Sequence, residues 1–333
     1  MSNIKLVEAS SQEKEFYSLL NRLKSESTWQ SSLYSESAIA YYKQRSEDSQ
    51  WTSKNLSYIL SIDNEPFFAF IGILSTKDKN KKITSYELPS IFIESNNISR
   101  SCKKAIQSHI DSQLLKYGCK ISAIDFMHNE RLNHGTEHLI QRRSCSVEVS
   151  YTRMIDLKQG EKAIKAGLRK SYSSLINWGK REMDIRLYTR ENMNWTVMEE
   201  FKALHIQESG RQTRSDLTWI LQYESIIKGE AFCITAKYRN ALVSAGYFAL
   251  ASGHCFYGVS ASKRTFFDKP LFHAIMWEAI VYAAQAGAVT FETGVDYPLH
   301  AQRSGLITDK EIQIAKFKSG FGGRLKPLIN LST

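Results

Sequence analysis

The sequence predicts an α/β chain with mixed sheets, built twice from one α+β unit. Three observations carry this. The order strand, strand, strand, helix, strand is written once over 57–127 and again over 231–292. The helices of the two copies each close on a glycine, Gly118 and Gly287, 169 residues apart. The 333 residues are also more than one ordinary core fills, so two domains are expected, 1–150 and 151–333.

In the first half, 13–23 has the apolar spacing of an amphipathic helix. Strands are expected at 57–62, 67–74 and 83–93, the first two joined by the turn residues Asp63-Asn64-Glu65-Pro66. A helix over 100–117 stops at Gly118, and 120–127 returns as a strand. In the second half, 161–181 reads as one helix, with Ile164, Leu168, Tyr172, Leu175 and Ile176 on a single face. A further helix is expected over 194–206. The polar loop 208–219 then carries Arg211 and Arg214 and leads into a helix that Ser215 or Asp216 can cap. Strands follow at 231–238, 242–251 and 254–259, with Arg239-Asn240 and Ser252-Gly253 as turns.

The organising stretch is 254–294. Its strand feeds a polar, basic loop, 260–269, and Pro270 opens a helix to about 286, since a first-turn N–H has no helical partner to lose. A strand over 289–292 follows. A helix N-terminus ringed by Ser262, Lys263, Arg264 and Lys269 has the ingredients to hold a phosphate; an ordinary solvated loop has the same composition. Farther on, a helix is expected over 310–319, and Gly320, Gly322 and Gly323 suit a turn with left-handed backbone.

Charge is unevenly spread. The net charge is +10, with 19 Lys/Arg against 17 Asp/Glu over 1–150 and 25 against 17 over 151–333, so an anionic partner is drawn to the second half. No apolar run reaches membrane-spanning length and the N-terminus lacks a signal-peptide core, so a cytoplasmic chain without membrane partners is expected. Cys102, Cys119, Cys145, Cys233 and Cys255 are odd in number and lack C-x-x-C spacing, which argues for free thiols and no metal. His128 and His134 read as loop residues, and Trp178, Trp219 and Trp277 as core.

Phosphate-loop, dinucleotide and nucleophile-elbow motifs are absent. What remains gathers in the second copy. Glu292 and Asp296, beside Tyr297, lie at and just after a strand next to the basic loop, where a carboxylate can act as general base or pair with a nearby cation. Arg211 and Arg214 can grip phosphate or close a loop salt bridge.

The stretches RKSYSSLINWG (169–179), SGRQTRSDLTW (209–219), YGVSASKRTFFDKPLFHAIMWEAI (257–280) and FKSGFGG (317–323) resemble FemAB-like members of the GNAT superfamily. The resemblance spans roughly 150–325 and implies tandem GNAT-like domains. Within that group the chain is similar to bacterial enzymes that acylate nucleotide-linked amino sugars for surface polysaccharide such as the O-antigen of lipopolysaccharide. The 3-hydroxybutanoyl transferases acting on dTDP-3-amino-3,6-dideoxygalactose are the finer likeness. It implies acyl-coenzyme A as donor and no metal. Glu292, or second Asp296, would serve as base. Gly258, Val259 and Ser260, with Ser262, Lys263, Arg264 and Lys269, would lie against the donor. Lys170, Arg211, Arg214 and Lys318 would hold the nucleotide diphosphate. Two departures stand out: 262–269 lacks the glycine-rich pyrophosphate signature, and 310–319 has no tyrosine to protonate a leaving thiolate. An aminoacyl-tRNA-dependent transferase and a nucleic-acid-binding module are the alternatives. The missing heptad-like arm speaks against the first, and the lack of an RNA-reading motif against the second.

Overall fold

The computed structural model describes residues 4–27, 31–127, 130–141, 145–251, 253–298, 301 and 307–333; His128 lies outside them. The chain divides into two compact units. One takes Met1–Trp29, Tyr42–Ser150 and Pro327–Thr333, the other Gln30–Tyr41 and Tyr151–Lys326.

The first unit runs through β1 (Ile4–Glu8), α1 (Glu13–Glu26), most of α2 (Glu36–Asp48), β2 (Thr52–Asn55), β3 (Tyr58–Ile62), β4 (Glu65–Ile71), β5 (Ile73–Lys77), β6 (Asn80–Thr84), β7 (Ile91–Glu94), α3 (Arg100–Tyr117), β8 (Lys120–Asp125) and α4 (His134–Gln141). Its β3–β4 hairpin turns on Asp63 and Asn64, both with positive φ, as a two-residue loop matched to strand twist requires. The strand expected over 67–74 is two strands, because Gly72 breaks it: a Cβ there would lie 2.2 Å from the Phe70 ring. The strand expected over 83–93 is also two. Thr84 Oγ1 donates to Tyr86 O at 2.7 Å around a Tyr86 φ of 60°, and Pro89 cannot supply a ladder N–H. The helix over 100–117 forms as read, with Gly118 at φ 53°. Tyr58, Phe68, Phe70 and Phe92 stack through this unit's core.

The second unit holds most of β9 (Ser146–Asp156), α5 (Glu161–Ala166), α6 (Tyr172–Glu182), β10 (Asp184–Tyr188), α7 (Trp195–Ser209), α8 (Asp216–Ile227), β11 (Ala231–Tyr238), β12 (Ala241–Ala251), β13 (His254–Ser262), α9 (Leu271–Gln285), β14 (Thr290–Val295), α10 (Asp309–Ser319) and the start of β15 (Arg324–Ser332). Its strands are ordered β10-β11-β12-β13-β14-β9, and only the β13–β14 pairing is parallel. On one face α6 and α9 pack Ile176, Ala274, Ile275 and Ala279 against Phe232, Phe248 and Phe291. On the other, Phe201 and Trp219 from α7 and α8 cover Cys233 and Tyr247. Trp219 and Trp277 are buried and Trp178 packs against the core, as read.

The single helix expected over 161–181 is broken. α5 ends on Gly167, and the N–H of Arg169 is taken by Gly320 O at 2.8 Å. That contact belongs to the 320–323 turn, where backbone meets backbone. A Cβ on Gly322 would lie 2.9 Å from Gly167 O, and one on Gly323 2.5 Å from Met154 O. Gly322 and Gly323 have positive φ as expected, but Gly320 is helical at −67° and is needed for space: its Cβ would enter the Tyr172 ring. Among the described residues no helix is long and apolar enough to cross a membrane.

Gly323→Ala should therefore destabilise the second unit by about 3 kcal/mol, from left-handed strain plus overpacking. Calorimetry should show its transition roughly 6–12 °C lower. An unchanged transition would mean that the turn relaxes freely.

Candidate active site

β13 and β14 pair for three rungs only, His254 with Thr290, Cys255 with Phe291 and Phe256 with Glu292. Past the third rung β14 stays with β9, while β13 continues to Ser262 against β12. From Tyr257 to Ser262 the other edge of β13 has no strand partner among the described residues, and a wedge opens between the two strands. Bulges lie on both sides of it. In β13, Tyr247 pairs with Val259 and Phe248 with Tyr257, which leaves Gly258 as the extra residue. In β14, Glu292 pairs with Met154 and Gly294 with Arg153, so Thr293 is extra; Gly294 follows at φ 85°. The wedge thus gathers Gly258, Val259 and Ser260 from one strand and the end of β14 from the other. The first bulge puts Tyr257 and Ser260 on one face, their hydroxyls 2.5 Å apart, and burial pushes the Tyr257 phenol up to about 12.

Glu292 stands at the apex, 5% exposed. Thr152 Oγ1 donates to its Oε1 at 2.5 Å, and His254 Nε2 lies 3.0 Å from its Oε2. Burial works against its charge. The His254 contact, then the Thr152 hydroxyl and the field of Lys326, outweigh burial and hold the carboxyl below its usual range. His254, 1% exposed, accepts the backbone N–H of Ser32 at Nδ1, 3.0 Å away. The sequence gives no functional role to His254, Thr152 or Ser32; the one signal is a histidine opening the otherwise apolar run at 254–259.

Asp296 is also buried. It is held by Arg153 Nε and by the N–H of Tyr297 at 2.7 Å, and Arg153 reaches on to Gly322 O and Gly323 O. Lys318 approaches from α10, its Nζ donating to Val295 O at 3.3 Å. A Cβ on Gly294 would lie 3.2 Å from that ammonium. Burial lowers the Lys318 pKa, with Asp296 and Glu292 pulling the other way. Glu292, Asp296 and Lys318 therefore form one charged group at the wedge.

The basic loop differs from its expectation. Ser260 and Ser262 belong to β13, and Pro270 caps α9 from outside rather than opening it. The backbone N–H groups are largely spent. Lys263 donates to Val243 O, Arg264 to Glu208 Oε2, Phe266 to Lys263 O, Phe267 to Arg264 O, Lys269 to Phe266 O and Leu271 to Lys269 O. Lys269 is paired with Asp268. Around the first turn of α9, His273 packs edge-on against Tyr172 and Phe317 while Phe272 lies against Tyr257. An extended, amide-bearing donor arm fits the open edge of β13. A pyrophosphate would find cations at the loop but no cradle of N–H groups.

Lys170 is exposed in the turn before α6. Arg211 is exposed after α7, whereas Arg214 stacks 3.6 Å from the Trp219 ring centre and donates to Tyr41 OH at 3.0 Å. Arg214 is thus already fixed, with its Nε and Nη2 buried.

No family model matches the sequence, and no curated protein matches it. Solved structures do match. FemX aligns over 98% of this chain and 96% of its own at 12% identity, with a TM-score of 0.66. The chain has the FemX-like, tandem GNAT fold. The L-PGS structure from Bacillus licheniformis aligns over 98% and 92% at 9% identity and TM-score 0.56. A tandem GNAT protein of the clavulanic acid biosynthesis pathway aligns over 99% and 98% at 8% identity and TM-score 0.54. At these identities the likeness is one of fold.

His273 supplies a pH prediction. Burial draws its pKa down to about 4, well below the usual 6.5. Its contribution to stability is present above the unfolded value and is lost as pH falls from about 6.5 to about 4. His273→Leu should remove that part of the slope. Denaturant unfolding of both proteins at pH 7.5, 5.5 and 4 checks this, and parallel slopes would refute it.

Proposed function

We propose that the protein is an N-acyltransferase that moves an acyl group from a coenzyme A thioester to the amine of a nucleotide-linked amino sugar. The first pairing to try is 3-hydroxybutanoyl with dTDP-3-amino-3,6-dideoxygalactose, for surface polysaccharide. The observation that carries this reading is the parting of β13 and β14 with a buried carboxylate at its apex. The thioester supplies an electrophilic carbonyl. Main-chain N–H groups around Gly258, Val259 and Ser260 stabilise the oxyanion as the amine nitrogen bonds to carbon and the carbonyl π pair moves to oxygen. Glu292, with lone pairs to spare beyond Thr152 and His254, hydrogen-bonds the amine and takes its proton directly or through water. Collapse breaks the C–S bond, and the proton ends on the sulfur. Asp296, bound by Arg153, is the second choice of base. Lys318 steadies negative charge at the wedge. Arg211 and Lys170 meet the nucleotide phosphates, Arg214 adds its charge to theirs, and Lys263, Arg264 and Lys269 meet the phosphates of the donor.

A second reading is an aminoacyl-tRNA-dependent transfer. The spent N–H groups of the 263–270 loop favour it, since an ester-linked donor needs no pyrophosphate cradle there. Release of free thiol from acyl-coenzyme A in the presence of dTDP- or UDP-amino sugars supports the first reading. Transfer from charged tRNA alone supports the second.

Glu292→Gln should lower kcat by about 10²–10⁴ with the fold intact. Retention within about threefold would end the assignment and turn attention to Asp296→Asn. Arg211→Ala should raise KM for the sugar nucleotide by roughly 5- to 150-fold, the loss of one charged hydrogen bond. Arg214→Ala should also lower stability, because it removes the Trp219 stack and the Tyr41 bond. Unchanged KM in both would place the phosphates elsewhere.

A further inference from the structure

We infer that His254 is a positioning residue, a neutral imidazole protonated on Nε2 and locked by the main chain of Ser32, that orients the Glu292 carboxylate at the wedge. The donor that meets Nδ1 has no choice of role. A backbone N–H can only donate, and that of Ser32 points at Nδ1 from 3.0 Å. Nδ1 must therefore present its lone pair, so the ring proton sits on Nε2. Nε2 lies 3.0 Å from Glu292 Oε2 and donates to it. The Ser32 hydroxyl, also 3.0 Å from Nδ1, is compatible with this tautomer as a second donor. Thr152 fixes the other carboxylate oxygen, so Glu292 is clamped from both sides.

Burial makes the chain of bonds exacting. Ser32 is 0% exposed, His254 1%, Thr152 1% and Glu292 5%, so no bulk water replaces a lost partner. The serine also lies too deep to act as a nucleophile, although Ser32, His254 and Glu292 follow the order of a hydrolytic triad. Charged groups meet Glu292 from other elements as well: Lys318 from α10 and Lys326 from β15, with the Asp296–Arg153 pair beside Lys318. They attract or repel charge without fixing direction. The imidazole and the Thr152 hydroxyl together fix which oxygen faces where.

This inference rests on the acyltransfer reading only for its kinetic arm. Nitrogen-15 NMR of histidine-labelled protein should show His254 as the Nε2–H tautomer at pH 7.5. An Nδ1–H form, or an imidazolium at neutral pH, overturns it. Carbon-13 NMR of glutamate-labelled protein, assigned with Glu292→Gln, should show Glu292 titrating about one pH unit higher in His254→Leu, a tenfold change in proton affinity. His254→Gln keeps one acceptor and one donor at similar spacing. It should retain kcat within about threefold and the parent's acidic limb. His254→Leu should lose about tenfold or more in kcat with KM nearly constant, and its acidic limb should rise with the NMR value. If both variants lose folded protein while kcat per folded molecule and the acidic limb stay put, His254 is only structural and the inference falls. If no donor and acceptor pair turns over, the acyltransfer reading fails, and the two NMR experiments still decide the tautomer and the titration.

Discussion

The site depends on two parallel strands that stop pairing after three rungs. Parallel neighbours normally run about 4.8 Å apart with every backbone group bonded across. Here β14 is held on its far side by β9 and bulges at Thr293, so it cannot follow β13 past Phe256 and Glu292. The separation leaves the backbone of β13 beyond Phe256 uncovered on that edge, a surface that ordinary sheets pair, cover or charge. It also places Glu292 at the last shared rung, where its side chain has strand on both sides behind it and an opening ahead.

That geometry would be costly without its partners. A buried carboxylate loses hydration worth several kcal/mol, which returns only if both oxygens are bonded and opposite charge lies near. Thr152 and His254 supply the bonds, and Lys318 and Lys326 supply the field. Lys318 is available because the 320–323 turn lies backbone-to-backbone on β9 and on the end of α5, which brings the C-terminal end of α10 beside Gly294. The same packing broke the helix expected over 161–181. One set of glycines therefore ends a helix, seats a lysine and frames the wedge.

Sequence patterns reached the elements whose burial is one-sided or whose ends carry Gly, Pro or Asn. α3, β11 and the 239–240 turn formed within a residue of their reading. β9, β10 and β15 escaped because their residues are half-exposed and alternate weakly, and β15 has a proline within it. Glu292 and Asp296 were legible as carboxylates at a strand end. Their partners were not. Ser32 is 222 residues from His254 and Thr152 is 140 from Glu292, and no local spacing encodes such contacts. The basic loop misled for a related reason: composition shows Lys263, Arg264 and Lys269 but not that turns and Glu208 consume the N–H groups.

The two copies use their strand-end carboxylates differently, and the difference marks the chemical one. In the first unit the equivalent strands barely meet, through a single parallel bridge between Ser90 and Ala123. Glu94, just past β7's buried run, accepts the N–H of His134 at 2.9 Å and faces its Nδ1 at 3.1 Å. Asp125, ending β8, accepts the N–H groups of Met127 and Asn133. Both carboxylates thus anchor backbone at the start of α4 and fill the gap that parted strands leave. In the second unit Glu292 is held by the side chains of Thr152 and His254 instead of by main-chain N–H groups. Main-chain anchoring makes a carboxylate part of a scaffold. A carboxylate gripped by side chains, where two parallel strands part, keeps lone pairs for a substrate.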